Sequence, residues 1–357
     1  MKIVFRWYGE NDSIPLKYIK QIPKVEGIVT ALYSIPIGEI WPLERLIEVK
    51  NEIESAGLKF SVIESIPVHE DIKLGKEETR DKLIENYCKS IENMGKLNIE
   101  VLTYNFMPIF DWTRTDLASQ NPDGSKSLSY EQRQLEKIDL SKGTYDLPGW
   151  GTTYSKEELK VLLDFYSNIN EDKLWENLEY FLKRVVPVAE EYEVKMGIHP
   201  DDPPWSIFNL PRIITNEKAL DRVVNIIDSP SNGITFCTGS FGPNMNMDLI
   251  KSIRKFGSQR KIPFLHFRNI KRMNEHSFKE VAHPTEYGDV DMYKVIKTLV
   301  DVNFEGFIRP DHGRIIWGEK GKPGYGLYDR ALGITYLAGL WEGINKTLNL
   351  DKKMKVE

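Results

Sequence analysis

Gly306-Phe-Ile-Arg-Pro-Asp-His-Gly313 is the stretch whose reading decides the fold. It is a short apolar run that ends abruptly in an Asp and a His and is closed by a glycine. Three earlier segments share the form: Met196-Gly-Ile-His199, Ile234-Thr-Phe-Cys237 and Phe264-Leu-His266. Short β-branched and aromatic runs bounded by turn residues read as strands. Each stops at a metal-binding residue type, so four strands deliver four candidate ligands to one end of a sheet.

Upstream of these lie four more strand-like runs, Ile3 to Gly9, Gly27 to Tyr33, Lys59 to Ile66 and Ile99 to Asn105, and the intervening stretches carry helical spacing. Strands alternating with helices argue for a parallel sheet, and eight of them for closure into an α/β, (β/α)8 TIM barrel. An open doubly wound sheet lacks support, because no Gly-x-Gly-x-x-Gly turn follows the first strand. We read residues 1–357 as one TIM-barrel domain. The rhythm breaks once, after strand four, where 108–154 is rich in Asp, Ser, Gly and Trp. A polar stretch of that length is uncommon unless functional, so it is expected to be an insertion over the C-terminal face of the barrel, with one helix from Ser129 to Ile138. Ser155-Lys-Glu-Glu158 then opens the next helix with a capping box.

Charged residues make up 28% of the chain and the formal net charge is -5. Nucleic-acid binding, which needs a basic surface, is therefore not expected. No run approaches the roughly 20 apolar residues needed to span a bilayer, so no membrane partner is expected. Met1-Lys-Ile-Val-Phe-Arg-Trp7 enters a strand without a signal-peptide cleavage pattern, and two cysteines cannot build a disulfide framework. Both features make cytoplasmic the expected location. Cys88, among Leu83, Ile84, Tyr87 and Ile91, reads as core.

Barrels of this kind place their chemistry at the C-terminal strand ends. There the chain puts His199, Cys237, His266 and Asp311, with Arg6, Glu64, Asn105, Arg268 and Asn269 at neighbouring ends. A single strand-end His is more often a satisfied structural residue, a lone Cys a small apolar one, and Asp311 alone a turn residue. Three of only eight His and Cys residues ending consecutive strands favour a metal site. Two His, a Cys and a carboxylate suit a divalent transition metal, and Zn(II), Fe(II) and Mn(II) are not separable on the donor set. His312 is a second candidate as ligand or base. Arg268, two residues from His266 and on its side of the strand, either clamps a substrate carboxylate or pairs with a neighbouring acid. Tyr325, between glycines in the loop Gly318 to Gly326, is a candidate lid residue and proton donor or acceptor.

The sequence resembles the mannonate dehydratase family, metal-dependent enzymes on a xylose isomerase-like TIM barrel. The likeness is carried by Phe5-Arg-Trp-Tyr-Gly9, Gly197-Ile-His-Pro-Asp-Asp-Pro-Pro204, Phe236-Cys-Thr-Gly239, His266-Phe-Arg-Asn269 and Arg309-Pro-Asp-His-Gly313. The resemblance implies a hydro-lyase that converts D-mannonate to 2-keto-3-deoxy-D-gluconate in hexuronate breakdown, with one Mn(II) or Fe(II) as cofactor. It carries the metal ligands over to His199, Cys237, His266 and Asp311. It also implies a homodimer. Within it, His312 and Tyr325 are the expected proton-transfer residues, and Arg6, Trp7, Asn105, Arg268 and Asn269 the expected substrate contacts. The alternative is a metal-dependent sugar isomerase or epimerase on the same barrel, which would take an aldose or ketose. A repair endonuclease of this fold would need more ligands and a basic face. A sugar-acid binding protein would hold a fully coordinated structural metal.

Overall fold

In the computed structural model, which describes residues 1–138 and 154–354, the described residues form twelve strands. Eight are parallel: β1 (Lys2–Arg6), β2 (Gly27–Thr30), β3 (Lys59–Glu64), β4 (Val101–Tyr104), β7 (Lys195–Ile198), β8 (Asn232–Cys237), β9 (Phe264–Phe267) and β12 (Phe307–Pro310). They close into a barrel, with β12 pairing both β9 and β1. A helix follows each strand, from Leu16–Ile19 after β1 to Tyr328–Met354 after β12. The sheet is covered on its outer face by helices and filled on its inner face by its own side chains. Its strands therefore read as near-continuous apolar runs.

Alternation along each strand sorts the two faces. Val4, Val29, Val62, Val101, Phe264 and Phe307 form a buried cluster of their own, which plugs the barrel floor. The residues between them, such as Ile3, Phe5, Ile28, Ile63, Leu102, Leu265 and Ile308, belong to the larger core shared with the helices. Two steps above the floor, on the same face, stand Arg6, Glu64, Thr103, His266 and Arg309. Asp311 lies two further on.

Behind β4 the outer core is built by one long helix. The helix Glu171–Glu191 presents Leu174, Leu178, Phe181, Leu182, Val185 and Val186, all fully buried. Phe181 packs 5.0 Å from Tyr87, 5.9 Å from Tyr104 and 6.0 Å from Phe106, measured between ring centres. Ahead of it, Lys156–Tyr166 begins with the expected capping box: Ser155 Oγ accepts from Glu158 N, and Ser155 N donates to the Glu158 carboxylate.

Above the barrel the expectation needs correction. Residues 126–131 are strand, not the start of a helix over Ser129 to Ile138, and only Gln132–Leu135 is helical. Tertiary pairing explains it: β6 (Lys126–Glu131) is held between β5 (Asp116–Gln120) and β11 (Ser277–Glu280), with Tyr130 opposite Phe278. Strand β10 (Ile270–Asn274) completes a four-stranded antiparallel sheet in the order β10-β11-β6-β5. The 108–154 segment thus joins a hairpin that follows β9 and was not anticipated. Residues 139–153 of that segment lie outside the described residues. Lys126 also exchanges backbone hydrogen bonds with Ile315, beyond β12, at 3.0 and 2.7 Å.

Phe181→Ala should cost about 3–5 kcal/mol, the range for emptying a buried aromatic site. Urea unfolding should show a lower midpoint at unchanged slope; a loss under about 1 kcal/mol would contradict the packing described for this cluster.

Candidate active site

The residues that end the barrel strands converge in a cavity of about 210 Å³. The nitrogen and sulfur donors of His199, Cys237 and His266 lie within 4.8 Å of one another. His199 Nδ1 is 2.8 Å from the Pro200 carbonyl, which only accepts, so Nδ1 carries the hydrogen and Nε2 the lone pair. His266 Nε2 lies 3.4 Å from Glu64 Oε2, an ion-pair distance without a hydrogen bond, and its Nδ1 is turned inward. His199 Nε2 and His266 Nδ1 face each other at 3.2 Å, close enough to share a hydrogen or to turn both lone pairs to one cation. Asp311 closes the fourth side, with Oδ2 3.5 Å from Cys237 Sγ and Oδ1 3.7 Å from His266 Nδ1. The donors fit a divalent transition metal.

Beneath the donors, charges alternate. Arg309 donates to both oxygens of Glu64, at 3.1 and 2.8 Å, and reaches Asp311 Oδ1 at 2.7 Å. Burial alone would raise the Glu64 pKa, but Arg309, His266 and Arg6 hold it well below the usual carboxylate range. Burial is likewise outweighed at Asp311, where Arg309 leads the opposing charges. Arg6 is different. It is buried and lines the cavity, its nearest acid is Glu64 at 3.4 Å, and its Nε and Nη1 have no hydrogen-bond partner.

On the other wall His312 Nε2 lies 2.9 Å from the Tyr325 hydroxyl, and Nδ1 lies 2.8 and 3.0 Å from the two oxygens of Glu280. Trp112 meets the His312 ring edge-on at 5.1 Å. Gly324, at φ +80°, turns the preceding loop inward and sets Tyr325 over His312. Burial and the charge of Asp311 raise the Tyr325 pKa, so its phenol stays protonated.

With this geometry in hand, comparison with known proteins is decisive. A model of the family described as D-mannonate dehydratase (UxuA) matches residues 1–351. The chain belongs to the D-mannonate dehydratase family. It is 55% identical over 346 residues to a mannonate dehydratase of Streptococcus uberis, covering 97% of this chain and 99% of that protein. A mannonate dehydratase of Thermotoga maritima is 53% identical over 356 residues, covering 97% and 98% respectively. The crystal structure of mannonate dehydratase from Streptococcus suis serotype 2 superposes with a TM-score of 0.91 at 50% identity, covering 98% of this chain and 96% of that one. A xylose isomerase domain protein from Planctomyces limnophilus, at TM-score 0.55 and 12% identity over 97% and 98% of the chains, shares the fold.

In this family member the cavity is lined by Arg6, Asn105, His199, Arg268, Asp311, His312 and Tyr325 of the expected residues, while Cys237 and His266 are buried behind the lining with their donors within 4.8 Å of His199. Two are not brought there. Trp7 and Asn269 fall on the opposite parity from Arg6 and Arg268, which turns them away from the barrel axis. Trp7 is buried in the outer core. Asn269 Nδ2 donates to the Pro284 carbonyl at 2.9 Å and its Oδ1 accepts from Val290 N at 3.2 Å. Arg268 lines the cavity but is engaged. Nη2 is bound by Asp202 at 2.6 Å and Ser240 at 2.9 Å, and Nη1 faces Asp311 at 3.1 Å. Its side chain lies over Gly239, where a Cβ would fall 1.8 Å from Nε. Asn105 donates to Asp111 at 3.0 Å.

Sequence reading missed Glu280, Arg114 and Asp202. Arg114 is fully buried and donates to both Asp202 oxygens, at 2.8 and 3.0 Å, and twice to Glu280 Oε1, at 3.0 and 2.7 Å. Burial would raise the Asp202 pKa, but Arg114 and Arg268 drive it far below the ordinary value. A carboxylate depressed in this way adds stability above its unfolded-state pKa, and that stability is lost as pH falls through the folded value. Melting temperature of the metal-free protein should thus be nearly flat from about pH 7 to pH 5 and fall below about pH 4. Asp202→Asn should cost about 3–5 kcal/mol at neutral pH and flatten the acid limb. An unchanged acid limb in that variant would contradict the assignment.

Proposed function

We propose that the chain removes water from D-mannonate to give 2-keto-3-deoxy-D-gluconate, the dehydration step of hexuronate breakdown. One observation carries this reading beyond family membership. A metal donor set, a buried guanidinium without a hydrogen-bond partner on two nitrogens, and a His–Tyr pair share one cavity. In the reaction the C2–H and C3–O bonds break, a C2=C3 enol forms, and the enol becomes the 2-keto acid as C3 gains a proton. His199, Cys237, His266 and Asp311 would hold one divalent ion, Mn(II) or Fe(II). When bound, it stabilises the negative charge that develops beside the carboxylate.

The chain's own groups do the rest. Arg6 binds the substrate carboxylate, because a buried cation whose Nε and Nη1 make no hydrogen bond accepts an anion without breaking one. Arg268 does not serve as that clamp; it holds Asp202, Asp311 and Ser240 in place. His312 and Tyr325 move the protons. The Nε2 lone pair of His312 accepts, and the protonated Tyr325 phenol donates toward the leaving hydroxyl. Asn105 and Asp111 stand at the rim to meet sugar hydroxyls. The described part of the 108–154 segment, through its strands β5 and β6, belongs to the same domain and stands over this face of the barrel. A thiol among the ligands, with both cysteines free, suits a reducing cytoplasm. Assembly as a homodimer rests on the family likeness.

Protein loaded with Mn(II) or Fe(II) should convert D-mannonate to an α-keto acid, read by a keto-acid-specific colour reaction. Absence of product with either ion would sink the proposal. Arg6→Met should lower kcat/KM about 10- to 100-fold, the worth of a hydrogen bond to a charged group. A variant with wild-type kcat/KM would remove Arg6 from carboxylate binding.

A further inference from the structure

Glu280 enters the site from outside the barrel. It is the last residue of β11, in a hairpin inserted directly after β9, the strand that carries His266 and leads into Arg268. That hairpin is fixed by pairing with β6, where Ser277, Phe278 and Lys279 face Glu131, Tyr130 and Ser129. The register places Glu280, only 4% exposed, against His312. Arg114, on the chain leading into β5, anchors the same carboxylate with two hydrogen bonds to Oε1, and its guanidinium packs 4.8 Å from the Phe278 ring. Arg268 Nη1 approaches to 3.4 Å. The carboxylate therefore has little freedom, and the group it faces most closely apart from Arg114 is His312 Nδ1.

A carboxylate offers no hydrogen when ionised, so a ring nitrogen 2.8 and 3.0 Å from its two oxygens must donate. That fixes the hydrogen of a neutral His312 on Nδ1 and leaves the lone pair on Nε2, 2.9 Å from the Tyr325 hydroxyl. Arg268 Nη1, a donor only, also lies 3.0 Å from Nδ1 and favours the opposite tautomer; against it stand two carboxylate oxygens at 2.8 and 3.0 Å that only a ring hydrogen satisfies, and Nη1 keeps an ion pair with Asp311 at 3.1 Å. We propose that Glu280 is the positioning residue of the proton-moving pair: it holds His312 as the Nδ1–H tautomer with Nε2 aimed at Tyr325 and the cavity. The four-stranded sheet is then part of the active site, because the partner that orients the base is delivered by strand pairing outside the barrel. The inference rests on the roles given above to His312 and Tyr325.

The test uses the full chain with 15N-labelled histidine, loaded with Zn(II) to remain diamagnetic, and His312→Gln to assign the signal. Wild-type His312 should show hydrogen on Nδ1 and none on Nε2; hydrogen on Nε2 instead would overturn the proposal whatever the variants do. Glu280→Gln keeps an acceptor oxygen and should keep the tautomer, with a moderate loss of kcat. Glu280→Leu should lose the tautomer preference and lower kcat on D-mannonate about 10²-fold, with KM and metal content close to wild type. Wild-type kcat in both variants, or losses confined to KM and metal content, would also overturn it. If Glu280→Leu does not fold, the wild-type tautomer and the Glu280→Gln kinetics still decide. Absence of dehydration by the wild type would defeat the functional reading while leaving the tautomer measurement intact, so the two failures are distinguishable.

Discussion

Two imidazole nitrogens, His199 Nε2 and His266 Nδ1, face each other across 3.2 Å beside a buried thiol and carboxylate. Behind one ring stands the Pro200 carbonyl, 2.8 Å from Nδ1, and behind the other Glu64, 3.4 Å from Nε2. Without a cation the cluster is held by shared hydrogens, one between the rings and one from the Cys237 thiol to Asp311. A divalent cation would replace those hydrogens and draw the four donors to one centre. Outer partners of this kind set ligand orientation and basicity in metal sites generally.

The surrounding charges follow from that requirement. Carboxylates cannot be buried near the barrel axis without partners, and the chain supplies guanidinium groups between them. Arg309 lies between Glu64 and Asp311, Arg268 between Asp202 and Asp311, and Arg114 between Asp202 and Glu280. Each of these three guanidinium groups is shared by at least two acids. Arg6 has Glu64 as its one ion-pair partner among the described residues and keeps two nitrogens without hydrogen bonds, which is the asymmetry a bound anion would complete.

Much of this was legible from sequence because the relevant signals are local. An apolar run ending in a metal-binding residue type marks a barrel strand and its C-terminal end together, so the fold and the four candidate donors come from the same residues. The period of two was sufficient to pair His266 with Arg268. Applied to Trp7 and Asn269, it would also have excluded them, since each follows an inward-facing arginine by one residue. Glu280 and Arg114 were not legible in that way. They reach the site through pairing of β6 with β11, between segments nearly 150 residues apart. The alternation of Ile270 to Asn274 and Ser277 to Glu280 about a polar turn was the available hint of the hairpin. Nothing local says which strand it joins. The same pairing explains why residues 129–131 are extended and not helical.

The central claim is that His199, Cys237, His266 and Asp311 bind one metal together, with the thiolate among the ligands. X-ray absorption at the metal edge of zinc-loaded protein tests it most directly. The expected spectrum has one sulfur scatterer near ~2.3 Å and nitrogen and oxygen scatterers near ~2.0–2.2 Å. The sulfur shell should vanish in Cys237→Ser. A wild-type spectrum without sulfur, or one unaltered by that substitution, would contradict the account.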